Sequence, residues 1–505
     1  MTPPRRVGAS LPAPLPPAPD RATTPMPGRF GLTIDPATTT FEEGSVLMGG
    51  SPIRLMRLSR RATALLTAWN GGQKVGRRKD EQLLARRLVS SGLLVPRAPA
   101  PRFTEDDVTV VVPVRDRPEQ LEQLLASLQG LHCVVVDDGS AAAARTEEIT
   151  ARFGARFVGL RVNEGPAAAR NAGLRVVETP LVAFVDSDCL PQEAWLSPLL
   201  GHFDDPLVAA VAPRIVPAAV AHPTALSRYE AVRSSLDRGE SDGPVRPHSR
   251  IPYVPSATLL VRCAATAQPL FDPALRGGED VDLVWRLHAA GWDVRYVAGC
   301  TVTHAGPQTL RAWLSRRAFY GTTGGPLAQR HPEAMAPMMT SAWTATALVL
   351  TAARRPVSAL ATLSGSVYLL AQRLNGFVTE PVRVATRIAA GGTAKSAMPA
   401  LAGLSRAWSP ALFAGLLFRR TRRAAAAALV APAMSDWAST PAALDPVRHS
   451  ALHMADDLAY GSGLWLGCLR ERTLRPLVPR IVFRAPVWSA RSIRAQLTAS
   501  ESATD

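Results

Sequence analysis

The run Val182-Ala183-Phe184-Val185-Asp186-Ser187-Asp188 constrains this chain most. An apolar segment ends in two carboxylates one residue apart. Alternate side chains of a β-strand share a face, so Asp186 and Asp188 can converge just past a buried strand. Two converging oxygen ligands suit Mg²⁺ or Mn²⁺, hard ions that bind phosphates and few protein groups. An Asp-rich turn after a strand is also common, so the surrounding residues must decide between the two.

At 505 residues the chain is too long for one core, and about two to four domains are expected. A net charge of +16, carried mostly by Arg, favours anionic partners: nucleotide phosphates, nucleic acid or an anionic membrane surface. No zinc-finger, RRM-like or basic-helix pattern accompanies the charge, so nucleic acid is not expected. The five cysteines (Cys133, Cys189, Cys263, Cys300 and Cys468) have no metal-ligand spacing. Such sparse, odd usage fits a reducing cytoplasm. The N-terminus has no apolar core of a secretory signal.

Composition divides the chain. Residues 1–28 are rich in Pro, Ala and Arg and read as a disordered tail. Residues 29–97 hold short strand patterns and two helices, one starting after Ser59 as N-cap and one over Asp80–Ser91, with Leu93-Leu94-Val95 as a closing strand. That layout resembles a winged-helix or PqqD-like peptide-recognition module; a packing appendage is the plainer alternative. Residues 105–330 alternate strand and helix. Val108–Val112, Cys133–Val136, Phe157–Leu160 and Leu181–Val185 are strands, with helices between them, so a mainly parallel sheet with right-handed crossovers is expected. Residues 331–490 contain short apolar stretches bordered by Arg, such as Arg419-Arg420-Thr421-Arg422-Arg423. None reaches the roughly 18–20 apolar residues of a membrane span. They suit helices lying at a membrane interface or packed in a bundle. Residues 491–505 read as a flexible tail.

In such sheets ligands sit beyond the carboxyl ends of the strands. Pro113–Arg117, Asp137-Asp138 and Asp186–Asp188 all lie at such ends and should meet in one crevice. Asp138 can accept the imide N–H of a uracil, and Asp137 can support its loop. Asn163 and the Gly165-Pro166 turn let backbone approach a ligand, and Arg170 can pair with phosphate or with Asp137 or Asp138. A divalent cation on Asp186 and Asp188 would neutralise a diphosphate leaving group. Asp188 is the main expected ligand, with Asp186 shared between metal and donor ribose. His304, at a later strand end, is a third candidate. Asp280 and Glu279 open a helix, where one carboxylate can deprotonate an acceptor hydroxyl; acidic residues are also ordinary helix caps there.

The order of these pieces resembles the family 2 glycosyltransferases of the GT-A fold. The resemblance covers about Val108–Gly321. It rests on Val112-Pro-Val-Arg-Asp-Arg-Pro118, Val136-Asp-Asp-Gly-Ser140, Asn163–Gly173, Asp186-Ser-Asp188 and Gly278-Glu-Asp-Val-Asp-Leu-Val-Trp-Arg286. It implies a nucleotide-sugar site that includes Pro113, Val114, Arg115, Arg117, Asp137, Asp138, Asn163, Gly165, Arg170 and Asp186. It also implies Mn²⁺ or Mg²⁺ on Asp186, Asp188 and His304, an inverting reaction with Asp280 as base, and an acceptor region near Trp285 and Arg286. The Gln-x-x-Arg-Trp motif of processive members is absent; Arg316-Arg-Ala-Phe-Tyr-Gly321 takes its place. Gly50–Leu55, Ser227–Leu236, Tyr253–Ala257 and Leu310–Leu314 are similar to the mycofactocin-system branch of that family. This implies UDP-glucose as donor and the peptide-derived redox cofactor mycofactocin or its precursor as acceptor. The cysteine usage and the apolar C-terminal region lead to the expectation of a cytoplasmic protein, peripheral or integral at the cytoplasmic face of the membrane. A lipid-linked or cell-wall glycan acceptor is the alternative that the apolar C-terminal region suggests. A peptide-binding scaffold without catalysis is the non-enzymatic one.

Overall fold

A computed structural model of the chain describes residues 12–482, apart from Pro52 and residues 441–443. The predicted strands are present as Val108–Val114, His132–Asp137, Arg156–Gly159 and Leu181–Val185. They lie side by side and parallel, in spatial order third, second, first, fourth. Every residue of Val108–Val114 and of Leu181–Val185 is buried, as a strand covered on both faces requires. Val111, Val182 and Phe184 face one core; Val110, Val112, Ala183 and Val185 face the other. Gly173 lets the Pro166–Leu174 helix lie close on the sheet, since a Cβ there would stand 2.3 Å from Val111 Cγ1.

Beyond Leu181–Val185 the sheet turns mixed. Thr258–Arg262 pairs with it antiparallel, followed by Val208–Pro217, Asp293–His304 and the short Cys189–Pro191. Asp293–His304 is one strand, with two register shifts along its pairing to Val208–Pro217. Its last residue pairs Cys189 with His304.

The segment 31–97 forms two small antiparallel sheets and two helices, Arg60–Asn70 and Lys79–Ser90, around Phe30, Leu47, Leu66 and Trp69. Ser59 accepts from the Ala62 N–H, as an N-cap does. A buried ion network joins this unit to the large sheet. Asp205, with no exposed surface, accepts from Arg86 at 2.6 and 2.9 Å and from Arg295 on the Asp293–His304 strand.

Residues 12–28 depart from the expected disordered tail. Leu15 and Met26 are buried, Trp292 Nε1 donates to Pro16 O at 2.7 Å, and Ala18 N donates to Ala290 O at 2.9 Å. Composition read this stretch as unable to bury itself; instead it is ordered along the surface, anchored by two buried side chains and hydrogen bonds to other parts of the chain. Residues 1–11 and the expected tail 491–505 lie outside the described residues.

The C-terminal region is helical: Ala342–Ala352, Pro356–Leu374, Pro381–Gly415, Arg422–Ser439 and Pro446–Arg470. No helix among the described residues is long and apolar enough to cross a membrane. Pro446–Arg470 packs backbone to backbone against Leu310–Thr322. A Cβ on Gly463 would meet Ala318 O at 1.9 Å, and one on Gly321 would meet Tyr460 O at 2.1 Å.

Candidate active site

The carboxyl ends of the parallel strands open onto a cleft of about 1580 Å³ between the sheet and the C-terminal helices. Pro113, Val114, Arg115, Arg117, Asp138, Asn163, Gly165, Arg170, Asp186, Asp188, Glu279, Asp280, Trp285 and His304 all line it. Thus the strand-end loops, the Pro166–Leu174 helix and the start of the Glu279–Ala289 helix meet in one place, as the crevice rule requires.

The left-handed turn at Gly139 (φ 67°) brings the strand end His132–Asp137 against Val162 and Asn163, and a Cβ there would lie 2.6 Å from Val162 C. Asp138 then accepts from the Glu164 N–H at 2.8 Å and the Gly165 N–H at 3.0 Å. Its carboxylate fixes the loop that opens the next helix and keeps lone-pair capacity for one more donor. Asp137 is buried below, accepting from Ser140 N at 2.8 Å; its second oxygen has no partner among the described residues. It does not line the cleft.

Arg170 is the hub. Its guanidinium is buried, donates to Asp186 Oδ1 at 2.5 Å and Glu279 Oε1 at 3.0 Å, and lies 5.5 Å over the Phe271 ring. Burial alone would push its pKa down; Asp186 and Glu279 outweigh that and raise it. The sequence paired Arg170 with phosphate, Asp137 or Asp138. Of the carboxylates it pairs with Asp186 and Glu279 rather than with Asp137 or Asp138, because the helix carries it past the first strand ends.

Gly278 (φ 77°) turns the chain into the Glu279–Ala289 helix. Asp280 accepts from the N–H groups of Val281 at 2.8 Å and Ser256 at 3.3 Å. Burial raises the Asp280 pKa, with Asp186 adding to it, while those hydrogen bonds and Arg170 oppose. Burial, then Asp280, likewise raises Glu279, and burial raises Asp186. A carboxylate poised above its ordinary range is a better proton acceptor near neutral pH. Trp285 donates to Pro252 O at 2.8 Å, with its ring at the cleft wall. Arg286 turns away from the cleft and binds Asp282 at 2.7 Å and Leu270 O at 2.5 Å. One step along a helix is a turn of about 100°, so these neighbours cannot share a face.

The Cys189–His304 pairing sets His304 beside Asp188, with Nε2 3.5 Å from Oδ1. Burial lowers the His304 pKa, with Asp188 and Asp186 opposing and Arg316 and Arg117 adding, a shift toward the neutral ring that a metal ligand needs. Asp188 also binds Arg117, and Asp186 is held by Arg170. Among the described residues no three such side chains are already gathered about one point. Asp188 and His304 would each offer a divalent ion one ligand, an oxygen and a nitrogen, but the expected set of Asp186, Asp188 and His304 is not gathered here: Asp186 is bound to Arg170 and Asp188 to Arg117.

Several lining residues escaped the sequence reading: Tyr320 on Leu310–Thr322, Arg406 on Pro381–Gly415 and Tyr460 on Pro446–Arg470. Only Tyr253-Val-Pro-Ser-Ala257 carried a usable signal, since Ser256 holds Asp280.

The pattern that defines glycosyl transferase family 2 matches residues 109–248, and that of glycosyl transferase family group 2 matches residues 181–431. A "Pre-mycofactocin glycosyltransferase" of Mycobacterium tuberculosis is 40% identical over 475 residues, 91% of this chain and 99% of that protein. This chain belongs to glycosyltransferase family 2. The glycosyltransferase is also 31% identical over 193 residues to an uncharacterized glycosyltransferase of Mycobacterium bovis, covering 37% of this chain and 82% of that one. Among solved structures it overlaps Staphylococcus aureus TarS 1–349 at 21% identity and TM-score 0.34, over 45% of this chain and 66% of that one. It overlaps a Pyrobaculum calidifontis mannosyltransferase in complex with GDP-Man and Mn²⁺ at 20% identity and TM-score 0.33, over 57% of this chain and 87% of that one. The GT-A-type architecture of the glycosyltransferase follows from its own strand order and family membership, not from these slight overlaps.

Proposed function

We propose that this glycosyltransferase moves glucose from UDP-glucose onto pre-mycofactocin, in a metal-dependent reaction that inverts the sugar's anomeric centre. The observation that carries this reading is the full-length likeness to a pre-mycofactocin glycosyltransferase together with Asp138, Asp186, Asp188, Asp280 and His304 in one cleft. Asp138 meets the uracil edge, and Pro113, Val114, Arg115, Asn163 and Gly165 line the nucleoside side. Asp186 serves the ribose and the metal side, and Arg117 faces the diphosphate. Asp188 and His304, with Asp186 beside them, would hold Mn²⁺ or Mg²⁺, which would supply neutralisation of the diphosphate leaving group. Asp280 takes the proton of the acceptor hydroxyl; that oxygen bonds to the sugar C1 from the face opposite UDP, and the C1–phosphate oxygen bond breaks. Arg170, which bridges Glu279 and Asp186, keeps Asp186 in place, and the Val281 and Ser256 N–H groups fix Asp280. On this reading residues 105–330 carry the chemistry, residues 331–482 shape the acceptor side, and residues 29–97 are an accessory module suited to a peptide.

The test uses purified full-length chain, UDP-glucose and Mn²⁺ with an extract of cells lacking the enzyme. A hexose gain on the redox-active precursor, seen by mass spectrometry, supports the reading. Transfer to lipid-linked glycan alone, or to nothing, refutes it.

A further inference from the structure

The turn between the Pro381–Gly415 and Arg422–Ser439 helices carries three large apolar side chains in a row and then four arginines, as Leu416-Leu417-Phe418-Arg419-Arg420-Thr421-Arg422-Arg423. All eight residues are exposed, Leu417 by 84% and Phe418 by 64%. None of the four arginines has an ion pair among the described residues. None of the eight lines the cleft. A lone exposed apolar side chain is ordinary; three adjacent ones at the tip of a helical hairpin mark a contact surface. The helix-end backbone closes on the turn itself. Thr421 Oγ1 donates to Gly415 O at 2.7 Å, Leu417 N to Ala414 O at 3.1 Å, and Arg422 N to Phe418 O at 2.9 Å. Backbone satisfied in this way can leave water at low cost. The turn between Ala342–Ala352 and Pro356–Leu374 repeats the chemistry. Val349, Val357 and Leu360 are exposed there about Arg354 and Arg355, neither of which has an ion pair among the described residues.

The occupant must take both halves of this pattern. A second copy of the chain would set these arginines against their own kind. A nucleic acid would pair with the guanidinium groups through its phosphates but leave the apolar trio in water. An anionic lipid surface accepts both, since its headgroup phosphates pair with arginine and its acyl boundary takes Leu and Phe. We propose that the Leu416–Arg423 turn is a membrane-docking element. Leu417 and Phe418 dip into the acyl boundary of a bilayer rich in anionic phospholipid, and Arg419, Arg420, Arg422 and Arg423 pair with its phosphates. Such docking needs no spanning helix, and none among the described residues is long and apolar enough to be one. The inference goes beyond the transfer reading and does not rest on it.

The experiment is co-sedimentation of the full chain with vesicles of phosphatidylcholine alone, or of equal parts phosphatidylcholine and phosphatidylglycerol. The wild-type chain should bind the mixed vesicles and not the neutral ones, and bind less as salt rises. Changing all four arginines to Gln should weaken binding by roughly several hundredfold, at about fivefold for each basic residue near an anionic surface. Leu417→Ser with Phe418→Ser should weaken it by about tenfold or more, the scale of partly burying two such side chains. Both variants should melt at the wild-type temperature, because every replaced side chain is exposed. No wild-type binding to mixed vesicles, or equal binding to neutral ones, overturns the proposal. So does binding undiminished by the four Gln changes. Binding undiminished by the two Ser changes also overturns it, and marks a plain polyanion site of the kind a nucleic acid fills. A lower melting midpoint in either variant overturns it too, since it marks contacts within the fold. Vesicle binding reads the same whether or not the chain transfers sugar, so the failure of one reading leaves the other standing.

Discussion

Replacing Asp205 with Ala should destabilise the protein by about 5 kcal/mol. Removing one partner of a buried ion pair costs about 3–5 kcal/mol, because the other charge is left buried and uncompensated. Here two buried guanidinium groups, Arg86 and Arg295, lose the same carboxylate. Asp293 offers little relief, at 3.8 Å from Arg86. The upper end of the range therefore applies. At about 2–4 °C per kcal/mol for a domain of about 150–250 residues, the unfolding midpoint should fall by about 10–20 °C. Circular dichroism melts of the full chain measure it. The triple substitution Arg86→Met, Asp205→Leu, Arg295→Met should recover most of the loss, since it removes the charges together and fills the space. A fall of less than about 2 °C in the single variant, or a triple variant no better than the single, would refute the reasoning. The sign with pH is fixed too. Arg295 and Arg86 hold the Asp205 pKa below its ordinary 3.8 against the effect of burial. The contribution is complete above that value and is lost as pH falls through the lower folded-state value.

Asp280→Asn should abolish sugar transfer while UDP affinity survives, which single-turnover assays with parallel calorimetry check; normal turnover would remove Asp280 as base. Because burial raises its pKa, the acid limb of the rate profile should lie above the ordinary aspartate value of 3.8, and the rate should fall as pH drops through it. EDTA should silence the enzyme and Mn²⁺ restore it, and His304→Ala should raise the Mn²⁺ concentration needed for half-maximal rate; activity unchanged by chelation would exclude a metal on Asp188 and His304. Gly463→Val forces atoms into Ala318 O and should cost about 1–3 kcal/mol, read as a lower melting midpoint and faster proteolysis of the C-terminal helix.

The parallel half of the sheet was legible because each strand is a continuous β-branched or apolar run closed by Asp, Gly or Pro. The cleft-lining Asp138 and Asp186 were legible for the same reason: each sits just beyond such a run. Periodicity said nothing of Arg406. Its helix, Pro381–Gly415, contains Pro399 and Pro410, which ordinarily signal a break, so the run read as separate short pieces. Arg286 was misplaced because it neighbours Trp285 in sequence, whereas the helix sends the two to different sides. The pairing of Arg170 with Glu279 spans 109 positions, and nothing local encodes it.

The strap formed by residues 12–28 bears on how the protein is produced. An expression clone trimmed at Gly28, as composition alone would suggest, removes the carbonyl that caps the Trp292 indole and the Arg21 side chain that binds Gly291 O at 2.6 Å and Asp293 at 2.8 Å. It also uncovers the pocket filled by Met26, which has no exposed surface in the intact chain. An insoluble trimmed product would therefore reveal a missing piece of the fold rather than an unstable enzyme.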